Sequence, residues 1–410
     1  MIIILGVLVF MGILGFVYRN KIDKYVCQFK TFISQPSMVR CTVPYADNYT
    51  KSSDWQIGPY YLQKCCHELF APQFMQSFGD TLVFWKHNYL FLKLPHNLPK
   101  PMCKLPIQYD EGMELIRQGD LYALRNGYRI LVSQGLKGPW QVVFSNPAST
   151  GIRHSMVWTQ NKMREDELLF SEYTTSWGRH HIYSYNVQQN ALDTLQTFYS
   201  QEEHDSSGLE PFARHTHVMM QDPYTGYIYI GNGDGNDGSS AIYYSKDNCR
   251  TLIRIGAFEQ CYRTLSFFFT EKSVFWNNDA TGSTDEPQYV CRLYKSDLPT
   301  ASQASSPIAK YPLVHAAHWI TESIQFSDGE NIICMSSNGE VYRGGYDGRI
   351  RTYGIRINSN EEPTIYELLS LPSNGNRFHQ YYPLGAYKDK VLLMDNMTRK
   401  RALYQIVIKD

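Results

Sequence analysis

The stretch Arg214–Gly235, RHTHVMMQDPYTGYIYIGNGDG, reads as two short strands around a tight turn. Apolar residues crowd HVMM and alternate through YIYI, a pattern of period two that suits a sheet and not a helix. Pro223 and Gly226 supply the turn between them. The ends of the hairpin are less ordinary. Arg214, His215 and His217 open the first strand, and Gly233 and Asp234 close the second. Such a hairpin is either one piece of a β-rich core or a device for holding polar groups toward a ligand. Strict alternation would point Arg214 and Thr216 one way and His215 and His217 the other.

The same unit recurs along the chain. A turn residue or charge followed by a short apolar strand appears as GDTLVFW around Asp80, NGYRILVS around Gly127, EDELLFSE around Asp166, TGYIYIGN around Gly226, EKSVFWNN around Lys272, DGENIICM around Gly329 and YKDKVLLMD around Asp389. Several of these are preceded by another strand-like run, such as HSMVWTQ or YRTLSFFFT, and followed by a third, such as HIYSYNV or YVCRLYKSD. A strand triplet or quartet recurring at roughly 40 to 60 residues is the signature of propeller blades. A lone blade hides little apolar surface, so blades stack and the ring closes to remove free edges. Two β-sandwiches in series would account for the strands but not for their common order. The expectation is therefore all-β, a seven-bladed β-propeller over residues 76–410, with six blades as the near alternative. The best short helix reading is EGMELIRQG, residues 111–119.

Residues 1–18, MIIILGVLVFMGILGFVY, are uncharged and almost wholly apolar, at the short edge of a membrane-spanning helix. No basic start or A-x-A site accompanies them, which favours an uncleaved anchor over a cleaved signal. Arg19, Lys21, Lys24 and Lys30 follow the span and argue for a cytoplasmic body, whereas a glycan-directed function argues for the periplasmic or extracellular face. Residues 19–75 read as a connecting segment packed on the propeller. Lys plus Arg and Asp plus Glu are both 39, so the net charge is zero, which excludes the basic footprint of a nucleic-acid binder. Aromatic residues reach 14%, and Tyr and Trp suit both half-buried strands and stacking on sugar rings. The nine cysteines show no C-x-x-C spacing, so a zinc ribbon is not expected and most read as small buried hydrophobes.

Within the fourth repeat, IYYSKDNCRTL resembles the Asp-box of sialidase-like propellers, a Ser/Thr-x-Asp-x-Gly-x-Thr-aromatic turn between the outer strands of a blade. Ser245, Asp247 and Thr251 match, Cys249 stands for the Gly and Leu252 for the aromatic. The resemblance implies a propeller of that superfamily, many of whose members act on glycans; the box itself implies fold and not activity. Sialidases use three arginines, a Tyr/Glu pair and an Asp. Arg153, Arg214 and Arg263 lie near strand starts, but no F/YRIP motif is present, so a typical sialidase is not expected.

Polar residues at the starts of the innermost strands of a propeller are not explained by blade packing. Four consecutive starts carry them: Arg153 and His154; Arg214, His215 and His217; Tyr262 and Arg263; His315 and His318. The second strands end in acids, Glu172, Asp234 with Asp237, and Asp279. Glycoside hydrolysis needs two carboxylates, one donating a proton and one acting as base or nucleophile, and Glu172, Asp234 and Asp279, with His217, are the candidates. A β-eliminating lyase needs instead a cation against a uronate carboxylate and His or Tyr to exchange protons, which His154, His217, Tyr262 and Arg263 would supply; the substrate contacts expected are His154, Arg214, Tyr262, Arg263 and His318. GNGDGNDG, residues 231–238, has the oxygen-rich look of a calcium loop but lacks a bidentate Glu and follows a strand, so no cofactor is expected and calcium stands as a minor alternative. The function expected is a membrane-anchored, monomeric propeller that cleaves a polysaccharide or other glycan as a hydrolase; a lyase, or a glycan- or protein-binding propeller without catalysis, is the alternative.

Overall fold

The computed structural model describes residues 55–57, 60–64, 74–78, 81–86, 89–93, 100–107, 114–150, 154–174, 178–233, 239–279, 288–303, 305–313, 320–325, 331–336, 349–372, 381–387, 390–395 and 403–408. Six antiparallel sheets of four strands and one of five are formed, each four-stranded sheet a simple meander in chain order. The first strands of successive sheets touch. Glu114–Gln118 meets Met156–Gln160, which meets His215–Gln221, then Thr264–Phe269, Ile320–Gln325, Tyr381–Tyr387 and, back at the beginning, Phe74–Phe78. The remaining junction, between the sheets opened by Phe74–Phe78 and Glu114–Gln118, is filled by a shared core of Val83, Trp85, Leu90, Leu115, Leu124 and Leu131. The sheets therefore surround an axis, and the chain is an all-β propeller.

Apolar residues on facing sheets drive this arrangement. Ala123, Ile130, Met156, Trp158, Leu168 and Phe170 form one core between neighbouring sheets. Val218, Tyr229, Tyr244, Phe267 and Trp276 form another. Trp276 is fully buried and its Nε1–H donates to the Cys261 carbonyl at 2.7 Å. Cys103, Cys249, Cys261, Cys291 and Cys334 are thiols, four of them buried, and burial pushes the Cys249, Cys261 and Cys334 thiols up, as expected of small hydrophobic side chains.

The ring is closed by hydrogen bonds between the two ends of the chain. The five-stranded sheet runs Trp55–Ile57, Tyr60–Lys64, Leu403–Ile408, Lys390–Asp395, Tyr381–Tyr387, with Tyr60 opposite Ile408 and Lys64 opposite Tyr404. This corrects the expectation of a connecting segment over 19–75: the ring begins by Trp55. The physical reason is that Leu403–Ile408 would otherwise present an open edge. Two further readings change. NGYRILVS is the third strand of its sheet, Arg129–Gln134, and the second is Leu121–Asn126; both strands are apolar on both faces, so pattern alone does not rank them. The helix expected in EGMELIRQG is instead the strand Glu114–Gln118, whose Leu115 pairs with Leu124, so burial in the sheet overrides local propensity. Among the described residues an α-helix forms at Gln201–Ser207, with a Ser200–Glu203 capping box and an end at Gly208 in the left-handed region.

The Asp-box-like turn joins Ala241–Ser245 to Ile253–Ala257. Asp247 Oδ1 accepts from the Thr251 amide at 2.8 Å, and Ser245 Oγ accepts from the Cys249 amide at 2.8 Å. Asn248 and Cys249 take φ of 56° and 62°, the conformation a Gly would adopt without strain. The turn also grips the preceding sheet, where Arg250 Nη2 donates to Glu167 Oε1 at 2.8 Å. It is a folding device. The anchor expected over residues 1–18 lies outside the described residues, as do Cys27, Cys41, Cys65 and Cys66; among the described residues no helix is long and apolar enough to cross a membrane.

Removing residues 1–64 is expected to convert the protein from a single species with one cooperative melt into larger associated species, because Leu403–Ile408 becomes an unpaired edge. Light scattering and calorimetry decide it; an unassociated chain with an unchanged melt would show that closure does not depend on these strands.

Candidate functional site

At the end of the ring where the inner strands start, the ladders lose register. Shifts occur between Thr216 and Val218, between Thr264 and Phe267, between Ile320 and Ser323 and between Pro383 and Gly385. Bulges of this kind re-aim side chains and cluster near functional sites. In the hairpin of the fourth repeat the additional residue is His217, and its imidazole lies over Gly233, where a Cβ would come within 2.1 Å of the ring. Gly233 is thus required by the close approach of this ring.

One cluster grows from that point. His215 Nδ1 sits 2.8 Å from the Thr174 carbonyl, and its Nε2 is 3.0 Å from His217 Nε2. A carbonyl only accepts, so Nδ1 of His215 carries the proton, its Nε2 accepts, and His217 Nε2 donates. His217 Nδ1 faces Asp279 Oδ2 at 3.8 Å, and the same oxygen accepts from Arg263 Nε at 3.1 Å. The Asp279 amide donates to the Arg263 carbonyl at 2.7 Å, locking the pair of strand ends together. The Tyr173 ring stacks on His215 with centroids 3.9 Å apart. His215, His217, Arg263 and Asp279 are all buried, while Tyr173 and Arg214 are half-buried.

A second cluster begins one residue before Tyr173. Glu172 Oε2 accepts from the His181 amide and from His181 Nδ1, both at 2.9 Å, and Oε1 accepts from Asn146 Nδ2. Glu172 is 2% exposed, whereas the His181 side chain is 29% exposed. Tyr183 OH lies 3.2 Å from His181 Nδ1, and burial together with the Glu172 charge pushes its phenol up.

A cleft of about 350 Å³ runs between three inner strands, lined by Glu114, Arg117, His154, Trp158, Met219 and Gln221 among others. Glu114 accepts from the Ser155 amide at 3.0 Å and stands opposite Arg125 in the ladder. Burial lifts Glu114 to about 7, against the pull of Arg125 and the Ser155 donors. Burial lowers Arg125 to about 10, resisted by Glu114 and Glu172, and its Nη2 donates to the Ser171 carbonyl at 2.7 Å. His180, fully buried and stacked on Phe198, is held well below the usual imidazole range by burial.

The structure thus places Glu172, Asp279, His217, Arg214, Arg263 and His154 at one end of adjacent sheets. Asp279, His217 and Arg263 meet directly; Glu172 belongs to the neighbouring cluster, and His154 lines the cleft. Tyr262 is corrected: it is 1% exposed, packs its ring against Gly256 and takes a hydrogen bond from the Ser306 amide at 3.2 Å, the position of a core residue and not of a substrate contact. Arg153, Asp234, Asp237, His315 and His318 lie outside the described residues, and so does most of the loop read as an alternative calcium site. Among the described residues no three His, Cys, Asp or Glu side chains gather to hold a metal. Sequence reading passed over Glu114, Arg125, Asn146, Tyr173 and His181. The neighbouring pair Glu172–Tyr173 at a strand end is the available signal for Tyr173; nothing local marks the others.

No family model matches the chain, and no curated protein matches it in sequence. Its likeness is to solved structures. An oligogalacturonate lyase from Vibrio parahaemolyticus superposes with a TM-score of 0.53 at 9% identity, covering 87% of this chain and 96% of that one. What the two share is the fold. A second structure, an oligogalacturonate lyase in complex with manganese, gives the same TM-score at 10% identity over the same shares of the two chains. Neither is a sialidase, so the superfamily suggested by the Asp-box-like turn gains no support beyond the propeller itself.

Two outcomes test this geometry. Gly233→Ala is expected to destabilise the protein by about 1–3 kcal/mol in denaturant unfolding, since the new methyl overlaps His217. Glu114 gives the second. Its folded value of about 7 lies above the 4.5 of a free glutamate, so its stabilising contribution is complete below pH 4.5 and lost as pH rises to about 7. Glu114→Gln is expected to remove that decline, read as the difference between variant and wild-type stability across this window.

Proposed function

We propose that this chain is a polysaccharide-acting propeller, that its seven sheets are seven blades, and that its strand-start face cleaves a uronate-containing glycan by β-elimination. The observation that carries the reading is the contact chain His215–His217–Asp279–Arg263 with Tyr173 stacked on it. Elimination requires removal of the proton on the carbon beside the uronate carboxylate, with positive charge opposite that carboxylate. His217 is the proton acceptor in this reading: a proton gained at Nδ1 turns its 3.8 Å approach to Asp279 into an ion pair. Arg214 and Arg263 supply the positive charge. The likeness to two oligogalacturonate lyases agrees with this substrate class without assigning it. Hydrolysis by Glu172 and Asp279 is less well supported, because the two carboxylates sit in separate clusters, Glu172 with His181 and Asn146 and Asp279 with Arg263 and His217. The anchor read over residues 1–18 would hold the ring at a membrane surface.

Polygalacturonate incubated with the purified chain should yield products carrying a new ultraviolet-absorbing double bond. His217→Ala should lower that rate by about 10²–10⁴-fold, the usual worth of a positioned acid–base group. New reducing ends without ultraviolet absorbance would transfer the reading to the carboxylate pair. Retention on an immobilised glycan with neither product would leave a binding propeller.

A further inference from the structure

Glu172 has an acceptor role that is already filled. A carboxylate offers about four lone-pair positions. Here Oε1 accepts from Asn146 Nδ2 and Oε2 from the His181 amide and His181 Nδ1, with the Tyr183 hydroxyl 3.2 Å from that ring nitrogen. A residue so occupied is poorly placed to attack or protonate a sugar itself. It is well placed to orient an imidazole. Because the carboxylate accepts, the ring proton on this side resides on Nδ1, and Nε2, on the opposite side of the ring, is the nitrogen left to meet a ligand. His181 is also the accessible member of the pair, with 29% of its side chain exposed against 2% for Glu172. His215, His217 and His180 are all buried, so within the two clusters His181 is the imidazole in ready exchange with water.

The two clusters share a support. Glu172 and Tyr173 are consecutive, Glu172 holding His181 and Tyr173 stacking on His215, and Thr174 fixes His215 through its carbonyl. A single segment of three residues thus sets the relative positions of both imidazole groups. The Thr216 amide donates to the Glu172 carbonyl at 3.4 Å, which ties that segment to the strand bearing His217.

We propose that His181, oriented by Glu172, is the second proton-transfer residue of this face and delivers the proton to the leaving sugar oxygen. This rests on the elimination reading above. In the balanced step His217 takes the proton from the carbon beside the carboxylate. The electron pair of that C–H bond becomes the new carbon–carbon double bond, the C–O bond one carbon further on breaks, and the departing oxygen takes its proton from Nε2 of the His181 imidazolium, which leaves a neutral ring protonated at Nδ1. Water then returns a proton to His181, and His217 gives its own up. Glu172 is a positioning residue: it offsets the imidazolium charge and fixes the tautomer.

The experiment uses the full chain with polygalacturonate. His181→Ala should lower kcat by about 10²–10⁴-fold with KM changed less than about threefold, and added imidazole should restore part of the loss. Glu172→Gln should also lower kcat but not respond to imidazole, since its ring is present and misdirected; Glu172→Asp should recover part of the rate. Thermal melts of all variants close to wild type confine these effects to the site. Cleavage by His181→Ala within about threefold of wild type overturns the assignment while leaving the elimination reading intact. If the wild-type chain cleaves nothing, the elimination reading fails, and acylation of histidines by diethyl pyrocarbonate, mapped by mass spectrometry, decides the rest. Labelling of His181 ahead of the other described histidines, blocked by bound polygalacturonate, upholds it as the ligand-facing imidazole. Labelling indifferent to the glycan overturns it.

Discussion

A sheet that is apolar on both faces cannot cover itself. Each sheet of this chain is buried only because a neighbour lies on either side, and the series ends only because its last sheet meets its first. The constraint that fixes everything else is therefore the pairing of Tyr60–Lys64 with Leu403–Ile408, which hands the final strands a partner from the opposite end of the chain. Without it the ring has two open edges and no reason to hold its curvature. With it, every inner strand starts at the same end of the axis, and residues separated by more than a hundred positions become neighbours. Glu114 and His154 come to line one cleft with Met219 for that reason alone.

Closure also explains why polar groups are tolerated where they are. The inner strands begin with a register shift, so the first residues of a strand are not bound to the alternation of the rest. His217 is the additional residue of one such bulge, and Gly233 opposite leaves room for its ring. The second strands deliver carboxylates to the same level, with Glu172 following Asp166–Ser171 and Asp279 following Ser273–Asn278. Acid and imidazole meet between sheets at Asp279 and His217, and within one sheet at Glu172 and His181.

The propeller was legible in the recurrence of the strand triplets, because period two and turn spacing are local properties. The closing strands were not, since WQI and YYLQK carry too few residues to show a period and their partner lies at the far end of the chain. Glu114 was misread for a related reason: ELIRQ fits one helical turn as well as a strand, and only the pairing of Leu115 with Leu124 decides. In the site, the strand-start residues His217 and Arg263 and the strand-end residue Asp279 were found by phase. His181 was not, because its significance comes from Glu172 nine positions away and from Asn146 on the preceding sheet. Tyr262 shows the converse, where a polar residue at the right phase is consumed by packing against Gly256.

The two ends of the ring use buried carboxylates differently, and the difference separates folding from chemistry. Asp222, at the turn end, accepts from the Tyr224 amide at 3.0 Å and the Thr225 hydroxyl at 2.6 Å, and its remaining partner, Lys295, reaches across from the next sheet at 2.6 Å. Those donors shape a turn and staple two sheets, which is a sufficient reason for the charge. At the strand-start end Asp279 faces Arg263 and His217, Glu172 faces His181 and Asn146, and Glu114 faces Arg125. These are side chains able to hold or move a proton or to meet an anion. Buried ion pairs return little stability over apolar residues of similar volume. Three carboxylates at one end of adjacent sheets, each set against such a partner, are what the proposed recognition and proton transfer would require, and the needs of the fold alone give less reason for them.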